Sequence, residues 1–169
     1  MITYIEIKDF AIVKELRIDL FPGLNVITGE TGAGKSVIIE AISMALGARA
    51  DSDYIRGGAQ KAVITLMIDP ESLDVSDILE EIGAPDDIPL IIRREISSSG
   101  RSTCRINGMP VPLSQLAKLC SRLADIHGQY DNQYLLDPLK HLGILDLYGG
   151  SKLREIKSMT ATTQETITI

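Results

Sequence analysis

Residues 29–36 read Gly-Glu-Thr-Gly-Ala-Gly-Lys-Ser, and no other stretch constrains the fold as tightly. The octapeptide satisfies G-x-x-x-x-G-K-[ST] at each fixed position. Its glycines let the backbone curl until successive N–H groups face one anion. A helix must follow, because its positive N-terminus adds to the same field. Lys35 supplies a full charge near the β- and γ-phosphates, and the Ser36 hydroxyl is a ligand for Mg²⁺. The flanks meet these demands. Leu24–Thr28 is a short apolar run, read as a strand. Val37–Leu46 places Ile38, Ile39, Ile42, Met44, Ala45 and Leu46 at helical spacing, and Gly47 is a helix stop. The ligand class is a nucleoside triphosphate with Mg²⁺, cradled by Gly29, Glu30, Thr31, Gly32, Ala33, Gly34, Lys35 and Ser36.

Around this loop the pattern alternates between strands and helices. Ile2–Lys8 and Glu15–Leu20 alternate apolar and polar residues, as half-buried strands do. Phe21-Pro22-Gly23 is turn material. Ala48–Lys61 reads as loop, Ala62–Ile68 as a buried strand, and Val75–Ile82 as a short helix ended by Gly83. Ile88–Ile96 and Arg101–Ile106 read as strands joined through Ser97–Gly100. Asn107-Gly108 is a two-residue hairpin signal. Ser114–Ala124 is an amphipathic helix. Gln133–Leu147 has a helical pattern broken by Pro138, and Ser151–Ile169 turns polar and Thr-rich.

With 169 residues the chain can bury one sizeable core. Aromatics are few and Trp is absent, so Ile, Leu, Val and Ala must fill that core. Cys104 and Cys120 form neither a zinc pattern nor a disulfide framework and read as buried thiols. No apolar run approaches a membrane span, and Glu6, Lys8 and Asp9 interrupt any signal-peptide layout. The expectation is a cytoplasmic protein. A net charge of −6 weighs against a large DNA-binding face on this chain, because duplex binding neutralises phosphates.

Several further motifs carry a family resemblance. They are Phe10-Ala11-Ile12-Val13, Val26–Ser36, Leu46-Gly47-Ala48-Arg49-Ala50, Gly100-Arg101-Ser102, Ile106-Asn107-Gly108, Val111–Leu116 and Ile126-His127-Gly128-Gln129. Together they resemble the RecN family, bacterial DNA double-strand-break repair proteins among the SMC-like ATPases.

The resemblance implies an α/β fold: a P-loop NTPase of the ABC/SMC head type, with a mixed sheet and flanking helices. This chain would be the head's N-terminal lobe over residues 1–150, with residues 151–169 starting a coiled coil or forming a short terminal helix. The resemblance makes ATP the nucleotide and Gln129 the Q-loop residue that reaches Mg²⁺ and the attacking water. Arg56 falls where such heads place an arginine near the nucleotide, with Arg49 as competitor. Lys35, Gln129 and Arg56 are thus the candidate catalytic residues, and Ser36 and Gln129 the metal ligands. The implied partners are the C-terminal half of the head, carrying signature motif and Walker B, a second head in an ATP sandwich, and DNA. The implied place of work is the bacterial nucleoid.

The complete protein would hydrolyse ATP, whereas this segment alone would bind nucleotide weakly or not at all and would not turn it over. Ile64–Asp69 ends a hydrophobic run in Asp, but Pro70 follows where Walker B needs Glu, so it reads as a strand entering a turn. Leu147-Tyr148-Gly149-Gly150 lacks the signature serine and reads as a helix-ending turn. His127 reads as a loop shaper, and His141 has no partner. Arg93, Arg94, Arg101 and Arg105 cluster in one hairpin, as a charged solvated edge or as a DNA-facing patch. The alternatives are another SMC-like or RecF-like head, a stand-alone P-loop kinase or GTPase, or a module locked by nucleotide without turnover.

Overall fold

The computed structural model describes residues 1–29, 34–70, 73–124 and 126. Met1–Ile126 forms one compact unit. Six strands build its sheet: β1 (Ile2–Phe10), β2 (Val13–Asp19), β3 (Lys61–Ile68), β4 (Leu90–Ser97), β5 (Ser102–Ile106) and β6 (Met109–Val111). Their order is β2-β1-β3-β4-β5-β6, and each neighbouring pair is antiparallel. Among the described residues three α-helices accompany the sheet: α1 (Lys35–Ala45), α2 (Ser76–Ile82) and α3 (Leu113–Leu123).

Register explains the layering. Ile7, Ile64, Arg94, Cys104 and Val111 stand opposite one another across five strands, and Ile5, Leu66, Ile92 and Ile106 form the next row. With a side-chain period of two, these rows share one face. Except for Arg94 they are apolar, and all are buried. Ala41, Met44 and Ala45 of α1, Ile78, Leu79 and Ile82 of α2, and Leu116, Leu119 and Leu123 of α3 join the same core. Each fully buried Ile or Leu contributes about 2 kcal/mol.

The opposite face carries charge. Glu6 meets Lys8 at 2.9 Å and Arg17 at 3.0 Å, and Glu95 meets Lys61 and Arg93 at 2.9 Å each. Lys8, then Arg17, holds the Glu6 carboxyl below its ordinary range, while its partial burial acts in the opposite direction. Lys61, followed by Arg93, does the same for Glu95.

Local chemistry sets the turns. Asn107 and Gly108 adopt φ 47° and 81°, as the primed turns of two-residue hairpins require. The Asn107 side chain also accepts from the Ile91 N–H at 2.7 Å and donates to the carbonyls of Pro85 and Asp87 at 2.9 Å. Gly47 ends α1 at φ 116°, where a Cβ would come within 2.8 Å of the Ala117 backbone; α1 and α3 approach closely because no side chain stands there.

One expected strand is absent from the described fold. Leu24–Thr28 pairs with no strand and lies outside the six-stranded sheet. Its apolar side chains face solvent: Leu24 is 91 % and Val26 69 % exposed. The physical reason is the want of a partner, since a strand exists by exchanging backbone hydrogen bonds with a neighbour, and no described residue supplies them. The Gln133–Leu147 helix, the 150/151 boundary, Leu147–Gly150 and the polar terminus lie outside the described residues.

Candidate functional site

The phosphate loop is anchored at both described ends. Gly34 is buried and caps α1 at φ 93°, ψ 6°, a left-handed conformation suited to glycine. Its carbonyl accepts the Ile38 N–H at 3.2 Å, which starts the helical ladder. A Cβ at Gly34 would sit 3.3 Å from Ile12 Cδ1, so the chain passes close against the β1–β2 hairpin. The Lys35 ammonium donates to the Gly29 carbonyl, which draws the loop's first residue to the helix start. Ser36 is exposed in the first turn of α1. A glycine cap has no side chain to occupy the orphan N–H groups, so this terminus suits an anion. The residues present fit a phosphate group. Glu30, Thr31, Gly32 and Ala33 lie outside the described residues, as do Gln129 and His127.

The β1–β2 hairpin ties Arg56 to this corner. Asp9 and Ala11 both adopt φ 50°, uncommon for residues with a side chain. The Ala11 N–H donates to the Tyr54 carbonyl at 2.6 Å, and the Arg56 N–H to the Asp9 carbonyl at 2.9 Å. Phe10 bridges Ile55, and its ring stacks on Tyr54 at 5.1 Å between centroids. Burial, then the Glu40 carboxylate, raises the Tyr54 phenol above its ordinary pKa. Arg56 is therefore stitched to the hairpin whose Ile12 abuts Gly34. Arg49 is exposed four residues beyond the far end of α1, and α1 alone spans about 15 Å.

Asp69 lies at the other end of the sheet. Its N–H donates to the Met1 carbonyl at 2.8 Å, and β1 begins beside it. The nine residues of β1 put about 25 Å between Asp69 and the loop corner. Asp69 thus stands in a turn away from the phosphate loop.

The arginine hairpin does not form one patch. Arg93 and Arg105 oppose each other on the charged face, and Arg93 is engaged by Glu95. Arg105 donates to the Gly108 carbonyl at 3.1 Å, and Arg101 is exposed in the turn before β5. Arg94 points the other way and is buried. Period two contained this signal, because position 94 shares parity with Leu90, Ile92 and Ile96. Among the described residues no cluster of three His, Cys, Asp or Glu side chains could hold a metal, and no helix is long and apolar enough to cross a membrane.

A family profile described as an AAA domain matches residues 4–108. The chain belongs to the AAA domain family. It is also RecN-like along its length. The DNA repair protein RecN of Bacillus subtilis (strain 168) is 42 % identical over 167 residues, 98 % of this chain and 28 % of that protein. The chain thus spans little more than a quarter of that relative's length. An SMC ATPase solved in work on ATP-driven dimerization and DNA-stimulated activation is 26 % identical, covers 86 % of this chain and 97 % of its own, and superimposes with a TM-score of 0.62. An Smc head domain with a coiled coil and joint, from Pyrococcus yayanosii, gives a TM-score of 0.69 at 24 % identity, over 96 % of this chain and 35 % of that one. The fold is that of the N-terminal part of a P-loop head of the ABC/SMC type.

Proposed function

We propose that this chain is the nucleotide-holding lobe, residues 1–150, of a RecN-like DNA repair ATPase, with residues 151–169 leading into a coiled coil. The loop amides and Lys35 hold the phosphates of ATP, Ser36 and Gln129 hold Mg²⁺, and Arg56 offsets charge on the nucleotide. When bound, Mg²⁺ neutralises phosphate charge and orients the reacting oxygens. Arg56 is preferred to Arg49 because its backbone is tied to the hairpin that packs on Gly34. In the whole protein, ATP closes two heads onto each other, hydrolysis opens them, and the cycle is coupled to DNA at the bacterial nucleoid.

The single observation that carries the half-site reading is the apolar surface beside the loop. Leu24, Val26 and Ile27 are exposed just before it, and Ile39 is 45 % exposed on α1. Apolar residues ring most of α1 (Val37, Ile38, Ile39, Ala41, Ile42, Met44), as in a helix buried on more than one side. Large exposed apolar groups in both segments that flank the loop mark a surface that another element covers. The C-terminal half of the head, with signature motif and Walker B, is that element.

Steady-state Mg²⁺-ATP hydrolysis tests this. The chain alone should show no turnover above its Lys35→Ala variant. Adding the C-terminal half should restore turnover that Lys35→Ala abolishes. Lys35-dependent turnover by the chain alone would overturn the half-site.

A further inference from the structure

Among the described residues, the apolar face of the sheet carries one charged side chain. Arg94 is 1 % exposed and stands between Ile64 and Cys104 in its row. Its Nε donates to Ser102 Oγ at 2.7 Å, while Nη1 is buried with no hydrogen-bond partner. A guanidinium withdrawn from water without an anion is strongly disfavoured. Such a position calls for a counter-charge.

The structure places a space for one. Arg94 lines a cavity of about 390 Å³ walled by Cys104, Pro110, Val111 and Leu113, with Ser102 and Thr103 beside it. Among the described residues no acidic side chain lines it. Helix α3 begins on the same wall, its cap Pro112 makes no side-chain hydrogen bond, and its first turn holds no acid. The unsatisfied N–H groups of that turn add positive potential. Cys104 is no counter-ion: burial raises its thiol pKa, against the pull of Arg94, and keeps it neutral.

We propose that this cavity binds a small monocarboxylate, its oxygens on the Arg94 guanidinium and its alkyl body against Pro110, Val111 and Leu113. A planar carboxylate matches the two-donor fork of a guanidinium. Apolar walls with a few converging polar groups are the ordinary make-up of a small-ligand pocket. Phosphate would bring more charge and more acceptor oxygens than Arg94 and Ser102 can meet. The cavity lies at the β5–β6 edge, whereas the phosphate loop adjoins the β1–β2 hairpin at the opposite edge. The inference is therefore independent of the nucleotide site.

The test is ligand-observed saturation-transfer NMR of butyrate with the intact protein. Saturable binding is expected, displaced by acetate. Arg94→Met should weaken it at least tenfold, and so should Val111→Phe, which keeps the charge but fills the space. Lys35→Ala should leave it unchanged, which separates it from anion binding at the phosphate loop. No saturable binding, or binding that Arg94→Met and Val111→Phe leave unchanged, would overturn the proposal. So would inorganic phosphate displacing butyrate more strongly than acetate does. If Arg94→Met does not fold, Val111→Phe decides alone.

Discussion

The antiparallel sheet and the phosphate-loop segment differ in how they satisfy their apolar residues. Ile5, Ile64, Leu66 and Ile92 are at most 1 % exposed, because neighbouring strands and three helices lie within the same 126 residues. Leu24 and Val26 are as apolar, yet 91 % and 69 % exposed. The sheet brings its own partners. The loop segment has the composition of a buried strand and no described neighbour to bury it. Side-chain chemistry is alike in the two regions, so completeness of the surroundings decides which residues contribute to stability.

The sharpest way to break that comparison is one truncation made in each region. Ile64→Ala should lower the unfolding free energy of the chain by about 3 kcal/mol, through lost transfer and a cavity. Leu24→Ala should change it by less than about 0.5 kcal/mol, because the site is already wet. Urea denaturation of both variants checks this, and a loss at Leu24 matching that at Ile64 would mean the segment is packed.

Gly47→Ala comes next. The added Cβ would meet the Ala117 backbone at 2.8 Å, and φ 116° is strained for alanine. Thermal unfolding should show about 2 kcal/mol of destabilisation, with α1 pried from α3. An unchanged Tm would show that the two helices separate without cost.

The smallest effect is electrostatic and confined to the charged face. Glu6 and Glu95 have folded pKa values below their ordinary 4.5. A depressed carboxylate adds stability above its unfolded pKa and loses it as pH falls through the folded value. Stability should therefore decline below about pH 4.5, and the Glu6→Gln variant should decline less steeply. A denaturation midpoint followed from pH 6 to pH 3 would read both slopes; identical slopes would remove the Glu6 contribution.

Most elements were legible because their determinants are local. Strand alternation in β1 to β5, the Asn107-Gly108 turn and the stops at Gly47 and Gly83 each rest on a few consecutive residues. The Leu24–Thr28 strand was read from the same kind of pattern and was not found, since pattern reports what a segment can pair with and not whether the pair is present. Arg94 neighbours Arg93 along the chain, but its parity places it on the buried face. The resemblance alone puts Arg56 near the nucleotide; the backbone ties that hold it at the loop corner are not legible in the sequence. They pass through Tyr54, Asp9 and Ile12, residues brought together by a bridge between Phe10 and Ile55.

By itself, then, the sequence determined the phosphate loop, the helix behind it and the family to which the chain is related. Those depend on residue types at fixed spacing, where glycine conformation, a lysine charge and a helix terminus act over one or two turns. Tertiary structure decided which apolar run is covered, which arginine is buried and which loop lies beside Gly34. Those depend on contacts between residues far apart in the chain, and only the assembled sheet supplies them.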